Sequence, residues 1–360
     1  MAMKVYGSRI SYYTGKLECY LRYKGIAYEP LPTPYDKAEM LKEKVGAVQM
    51  PIVDNDSVWM SDTTPILEHL ETAHPQNPII PDDPVVAFLA FLIEDYADEW
   101  LWRPAMYYRW WYGNDRHLAS SILTDELTGH VRAPRWMRRR MIVRRQVKHY
   151  VDRDGVTPEN RHHVEETYFA ALAALNAMLE TRPYLLGDSP SIADFGMIGP
   201  MFRHFGQDPT PQEIMRQKAP AVYEWVARMW AARSSHLGDL LTRIPADTQP
   251  ILREACECHL GQLAANAAAF DAEQDRFDMT IQGTLYRSIK TSQYRVWCLE
   301  ELRRRFSELD DDAQAKVRAL LPFAHADLLW NDAVPAASGF NADRHLPFGK
   351  ALNVFEGGLP

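Results

Sequence analysis

The chain has little of what marks several large classes of protein. Four cysteines in 360 residues do not make a disulfide framework. The formal net charge is -8, so bulk attraction to nucleic acid is not expected, and no nucleic-acid partner is assigned. No apolar run reaches the roughly 18 residues of a membrane-spanning helix. The opening stretch, MAMKVYGSRIS, lacks the apolar core of a signal peptide, and a reducing cytoplasm is the expected location. There is no internal repeat and no low-complexity tract. Cys256-Glu257-Cys258-His259 holds potential metal ligands, but two further ligands at workable spacing are missing, so no metal is assigned.

Aromatic residues, by contrast, are plentiful: ten tryptophans and seventeen tyrosines, with a dense cluster over 100–112. The length allows two or three domains with real cores. Lys4, Val5 and Tyr6 start a short strand, followed by a loop over 7–11 and a helix over 13–24 stopped by Gly25. A strand over 26–31 and a helix over 36–44 come next.

The stretch VQMPIVDNDSVWMSDTTPILEHLE (48–71) then reads as a hairpin and a capped helix. Ile52-Val53 and Val58-Trp59-Met60 are the strands, with turn chemistry between them. Pro51 has no N–H and fits only a strand's first residue, an edge or a bulge. A trans Pro51 simply opens the strand. A cis Met50-Pro51 bond turns the backbone of Met50 outward, where an extended peptide can pair with it. Ile66, Leu67 and Leu70 have helical spacing, and Asp62 or Thr63 is the N-cap. The free N–H groups and the positive dipole end of that helix suit an anion. The order β-α-β-α-β-β-α calls for a parallel pair first and an antiparallel hairpin second.

Prolines at 75, 78, 81 and 84 mark a domain boundary, and helical periodicity dominates beyond it. Helices are expected over 85–102, where Pro104 ends or kinks the run, then over 135–151, from Thr157-Pro158 to about 180, from 191, and over 221–232. Ser191 and Asp194 have capping-box spacing, with Asp for the usual Glu or Gln. The remaining residues hold an Ala-rich helix over about 260–270, a hairpin about Gln282-Gly283, a charged amphipathic helix in YRVWCLEELRRRF, and an irregular last thirty. Phe277, Trp297, Leu320 and Trp330 supply apolar surface there, so this region is expected to fold onto the helices before it.

In combination, MKVYGSRIS, VQMPIV, SDTTPILEHLE and PYLLGDSPSIADF resemble the glutathione transferases, over roughly the first two thirds of the chain. The N-terminal stretch GKLECYLRYKGIAYE also resembles the metaxin and failed-axon branch of that superfamily, whose members are not clearly enzymes. The resemblance implies an α/β thioredoxin-like N-terminal domain (1–80) and an all-α helical C-terminal domain (85–235). Residues 240–360 then form an additional C-terminal α+β extension of unknown role. It further implies glutathione as co-substrate, a hydrophobic or aromatic electrophile, and a homodimer.

On that resemblance the glutathione-binding residues are Gln49, Met50, Pro51, Asp62 and Thr63. The cysteinyl part pairs with the backbone of Met50. The γ-glutamyl carboxylate sits at Thr63, with Asp62 near the amino group. The segment departs from the family in having Met before the proline and Asp-Thr where Glu-Ser or Gln-Ser is usual. Ser11 matches the family's catalytic serine or cysteine, with Tyr12 and Tyr13 as neighbours able to replace it. A hydroxyl donor there lowers the pKa of a thiol that is otherwise near 8.5. The absence of cysteine from this loop disfavours mixed-disulfide chemistry. The expected activity is transfer of glutathione to the electrophile; the alternative is a non-catalytic binding or interaction module. The aromatic segment WLWRPAMYYRWWYG either forms the electrophile site or packs as core. Residues 132–148, with seven arginines, one lysine and no acid, read as a solvated face paired with acids elsewhere, or as an anion site.

Overall fold

The computed structural model describes residues 2–236 and 238–340. Seven elements build the first layer: β1 (Met3–Gly7), α1 (Tyr12–Lys24), β2 (Tyr28–Pro32), α2 (Ala38–Val45), β3 (Ile52–Asn55), β4 (Val58–Ser61) and α3 (Thr63–Ala73). The strand order is β2-β1-β3-β4, with β1 and β2 parallel and the other two pairs antiparallel. Successive side chains of a strand face opposite sides. Tyr6 and Ile52 accordingly meet Leu41 and Val45 of α2, whereas Val5 and Val53 join the main core with α1 and α3. Gly25, at φ 69°, takes the left-handed C-terminal position of α1, where a Cβ would be strained.

The helical layer is α4 (Pro84–Glu99), α5 (Trp102–Trp111), α6 (Gly113–Thr128), α7 (Arg135–Tyr150), α8 (Arg161–Leu179), α9 (Ile192–Arg203), α10 (Pro209–Lys218) and α11 (Pro220–Ala231). The expected helix over 85–102 is two: α4 stops at Glu99, and Pro104 sits in the first turn of α5, where its missing N–H costs nothing. Thr157-Pro158 does not open α8, because Asn160 accepts from the Thr157 N–H at 2.8 Å and the helix starts at Arg161. The Ser191–Asp194 capping box is present and buried. α9 crosses both α1 and α4 closely: a Cβ on Gly199 would stand 2.9 Å from the Tyr12 ring, and one on Gly196 would stand 2.7 Å from Glu94 Cα.

The last third folds onto these helices. It comprises α12 (Gln249–Glu254), a π-helical stretch over Ala255–Leu260, α13 (Gly261–Asp271), the hairpin β5 (Arg276–Ile281) and β6 (Thr284–Lys290), α14 (Gln293–Ser307) and α15 (Asp311–Leu320). Phe277 is buried, and Trp297, Leu320 and Trp330 pack partly buried against the main core. Charged ties reinforce the contact. Arg295 of α14 reaches Glu99 (3.4 Å) and Asp154 (3.0 Å), and Arg103 of α5 joins Asp154 (3.1 Å) to Gln262 of α13 (2.6 Å). Residues 331–340 are irregular, as expected; the rest of the expected irregular segment lies outside the described residues. No helix among the described residues is long and apolar enough to cross a membrane.

Candidate functional site

A cavity of about 250 Å³ opens between the sheet domain and the helices. Ser11, Tyr12, Tyr13, Gln49 and Met50 line one side; Trp102, Met106, Leu123, Leu127, Tyr150 and His204 line the other. It thus brings together five of the eight residues expected to form the site. Pro51, Asp62 and Thr63 are not among its lining.

Each side chain arrives by local logic. Ser11 is the N-cap of α1, with extended φ and ψ of -78° and 132°, and its oxygen accepts from the Thr14 N–H at 3.4 Å. An accepting cap leaves the hydroxyl hydrogen free to donate into the cavity. The hydroxyls of Tyr12 and Tyr13 are used otherwise. Tyr12 donates to the Ala97 carbonyl and Tyr13 to the Asp98 carbonyl at 2.8 Å, both on α4. Both phenols are raised well above their ordinary pKa, chiefly by burial and then by the acids of α4. The Met50-Pro51 peptide is cis. Met50 precedes β3 and, among the described residues, makes no backbone hydrogen bond, so its N–H and C=O stay available at the cavity edge.

The head of α3 is arranged differently. Asp62 has φ 73°, a left-handed conformation uncommon for a residue with a Cβ. Its carboxylate accepts from the hydroxyl of Tyr294, on α14, at 2.8 Å. Burial pushes the Asp62 carboxyl up to about 6, against the opposing pull of the Tyr294 bond and the Lys16 charge. Thr63 is 2% exposed. Below them lies a charged cluster that sequence reading missed. Lys16 is fully buried and binds Glu94, Asp98 (2.6 Å) and the Thr64 hydroxyl (3.0 Å). Only the spacing of Lys16 on a buried helix face would have hinted at it.

Arg109, also missed, ties the Ser11 loop to the helical layer. It donates to Asp208 (2.7 and 3.1 Å), the Ile10 carbonyl (2.7 Å) and the Arg203 carbonyl (2.5 Å). The aromatic segment divides between the two expected roles. Trp100, Tyr107, Tyr108 and Trp110 are buried core, whereas Trp102 and Met106 face the cavity. The arginines of α7 also divide. Arg135 pairs with Asp125 at 2.8 Å, Arg138 donates to the Thr128 carbonyl at 2.8 Å, Arg140 and Arg144 are exposed, and Arg145 lines the cavity. In the Cys-x-Cys-His stretch, both thiols are buried and His259 pairs with Asp95 at 2.6 Å.

A mixed four-stranded sheet flanked by helices, joined to a helical bundle with a cavity at the seam, defines the two-domain thioredoxin-like class. Residues 5–78 match the family model for the glutathione S-transferase N-terminal domain, and residues 150–228 match that for its C-terminal domain. The chain thus carries a glutathione S-transferase N-terminal domain over 5–78 and a glutathione S-transferase C-terminal domain over 150–228. Among solved structures it is similar to the beta-etherase LigF from Sphingobium sp. strain SYK-6, at 17% identity over 71% of this chain and 100% of that one, with a TM-score of 0.45. A glutathione S-transferase from Sinorhizobium meliloti 1021 is 16% identical over 70% of this chain and 92% of its own, with a TM-score of 0.42. One from Methylobacterium radiotolerans, in complex with glutathione sulfonate, is 17% identical over 68% and 100%, with a TM-score of 0.39. No curated protein matches the chain.

Proposed function

We propose that the chain is a glutathione transferase: the cavity takes glutathione against Ser11, Gln49 and Met50 and a hydrophobic electrophile against Trp102, Met106 and Tyr150. The observation that carries this reading is the free donor of Ser11 and the unpaired backbone of Met50 lining one cavity with an aromatic wall opposite. The thiol loses its proton to solvent, and the Ser11 hydroxyl donates to the resulting thiolate. The sulfur then bonds to the electrophilic carbon, and the leaving group departs with its electron pair. At neutral pH a few per cent of an unassisted thiol is ionised, so a donor that lowers its pKa by one unit gains close to tenfold in reactive species.

In this proposal residues 1–80 and 85–235 are the two catalytic domains and 240–360 the extension, in a cytoplasmic homodimer. Sedimentation of the full chain tests the dimer. The second reading, a non-catalytic module, is favoured by one observation: Tyr294 of the extension occupies Asp62, where the glutathione amino group was expected. Calorimetry with glutathione, followed by thiolate absorbance against pH, decides between the two. Binding with a lowered thiol pKa supports the transferase. Binding without that shift supports the module, and no binding at millimolar glutathione removes the transferase.

A further inference from the structure

One end of the cavity carries a guanidinium that is hydrogen-bonded to two phenols but paired with no carboxylate among the described residues. Arg145 lines it from α7, half-buried. Its guanidinium carbon lies 5.6 Å from the centroid of the Tyr35 ring; burial works against its charge, and the hydroxyl oxygens of Tyr150 and Tyr35, which accept from it, favour that charge. Among the described residues no carboxylate lies within ion-pair distance of it. The Tyr35 hydroxyl is buried; its oxygen faces the Arg145 guanidinium, and its own hydrogen has no acceptor among the described residues. Guanidinium has five N–H donors and no acceptor, and a phenol adds one more donor. Donors facing a cavity, with their counter-charge missing, are costly to bury unless an anion arrives from outside.

The wall beside this cation is aromatic. Trp102 meets Tyr150 edge-on at 5.6 Å and stacks on Tyr13 at 5.7 Å, so rings run without a break from Arg145 to the Ser11 loop. Other cationic side chains are less available. Arg109 spends its donors on Asp208 and two carbonyls. Lys42 lines the same cavity from α2 but is exposed, where water screens it. His149 is held below its ordinary pKa by burial and by Arg153 and Arg145, so it adds a neutral ring.

We infer that the molecule bound opposite Ser11 is an aromatic acid, its ring against Trp102 and Tyr150 and its carboxylate on Arg145 and Tyr35. A planar guanidinium matches a carboxylate in two parallel hydrogen bonds. The inference deepens the transferase reading and rests on it for what fills the rest of the cavity.

The test compares 2-naphthoate with its uncharged methyl ester, titrated into the full chain by tryptophan fluorescence without glutathione. The acid binds at least about tenfold tighter than the ester, as a charge-assisted hydrogen-bond pair warrants. Arg145→Gln abolishes that preference and Tyr35→Phe reduces it, each with a melting temperature near that of the wild type. Equal binding of acid and ester, or a preference that survives in Arg145→Gln, overturns the inference. If Arg145→Gln does not fold, an undiminished preference in Tyr35→Phe overturns it instead. Millimolar glutathione leaves naphthoate binding unchanged. Competitive displacement assigns the donors to glutathione's own glycyl carboxylate and overturns the aromatic acid. If glutathione does not bind at all, the transferase reading alone fails, because the acid preference and its loss in Arg145→Gln are read without it.

Discussion

The hydroxyl of Tyr294 donates to the carboxylate of Asp62 at 2.8 Å, which ties α14 to the head of α3 across 232 positions of sequence. The same two helices are pinned further along, where Arg305 pairs with Glu68 at 2.8 Å. The extension therefore holds the head of α3, where the proposed glutathione pose would present its γ-glutamyl group. Any ligand that reaches Asp62 must first replace Tyr294.

Tyr294→Phe removes that competitor. If glutathione spans from Met50 to Asp62, its affinity rises, by up to about tenfold for one hydrogen bond to a charged group. Affinity should then fall as pH drops, because the ammonium of the ligand needs an ionised Asp62; the fall should begin at higher pH in the variant than in the wild type, whose carboxyl sits at about 6 with the Tyr294 bond pulling it down. Calorimetry on wild type and variant at two pH values checks both effects. Unchanged affinity in Tyr294→Phe means that the tripeptide stops short of α3.

Asp62→Asn isolates the folding consequence. The carboxyl titrates at about 6 in the fold against 3.8 in the open chain, chiefly because it is buried. Between those values the folded state holds a proton that the unfolded state lacks, so wild-type stability contributed by this group grows as pH falls. Above 6 the charge is carried at a cost. The variant, which has no such charge, should therefore gain most over wild type at pH 8 and progressively less towards pH 4. Thermal unfolding at these pH values reads it, and a gain that grows towards acid would contradict the assignment.

Lys16→Met leaves Glu94 and Asp98 facing each other without their cation. Breaking a buried pair by removing one partner costs about 3–5 kcal/mol. The Asp98 carboxyl is already raised, by burial first and with Glu94 adding to it, although Lys16 pulls it down. Without the lysine the Asp98 carboxyl rises further and takes up a proton more readily, so the loss should be greater at pH 8 than at pH 5.5. Urea unfolding at both values measures it. An equal loss at the two would mean that packing, not charge, is what Lys16 supplies.

What the sequence disclosed follows from how local its signals are. Gly25, the Asp54–Ser57 turn and the Ser191–Asp194 box each fix their conformation within a few residues, and the elements they bound stand close to where the pattern placed them. Segments lacking such punctuation were harder. α6 and α10 passed without notice, and α5 was seen only as an aromatic run, because its apolar and polar residues follow no clean helical stripe. The cavity was half legible. Ser11 and Met50 could be placed from a loop and a proline, but Arg109 and Arg145 come from distant helices, and no spacing along the chain announces that they converge on one cavity. The extension offered apolar residues but no register, so its seat on Asp62 emerged only from the fold.

Ser11→Ala is the decisive substitution for the chemistry. Ser11 has its hydroxyl hydrogen uncommitted, whereas Tyr12 and Tyr13 each donate to a carbonyl of α4. Losing the Ser11 donor should leave glutathione affinity nearly intact, since the ligand's backbone contacts at Met50 remain. The bound thiol, however, loses a hydrogen bond that favours its charged form, so its pKa rises towards the free value near 8.5. A rise of one unit lowers the thiolate fraction at pH 7 close to tenfold, and turnover of a generic aromatic electrophile falls by about the same factor. The deficit closes as pH rises past the new pKa, where both proteins hold the thiolate. Tyr12→Phe and Tyr13→Phe should do the reverse: each orphans a buried carbonyl at about 1–3 kcal/mol of stability and leaves the thiol pKa where it was. Thiolate absorbance against pH for the three variants separates these outcomes. A silent Ser11→Ala beside a shifted Tyr13→Phe would move the activating role two residues on, into the first turn of α1, and three silent variants would leave Ser11 as a helix cap alone.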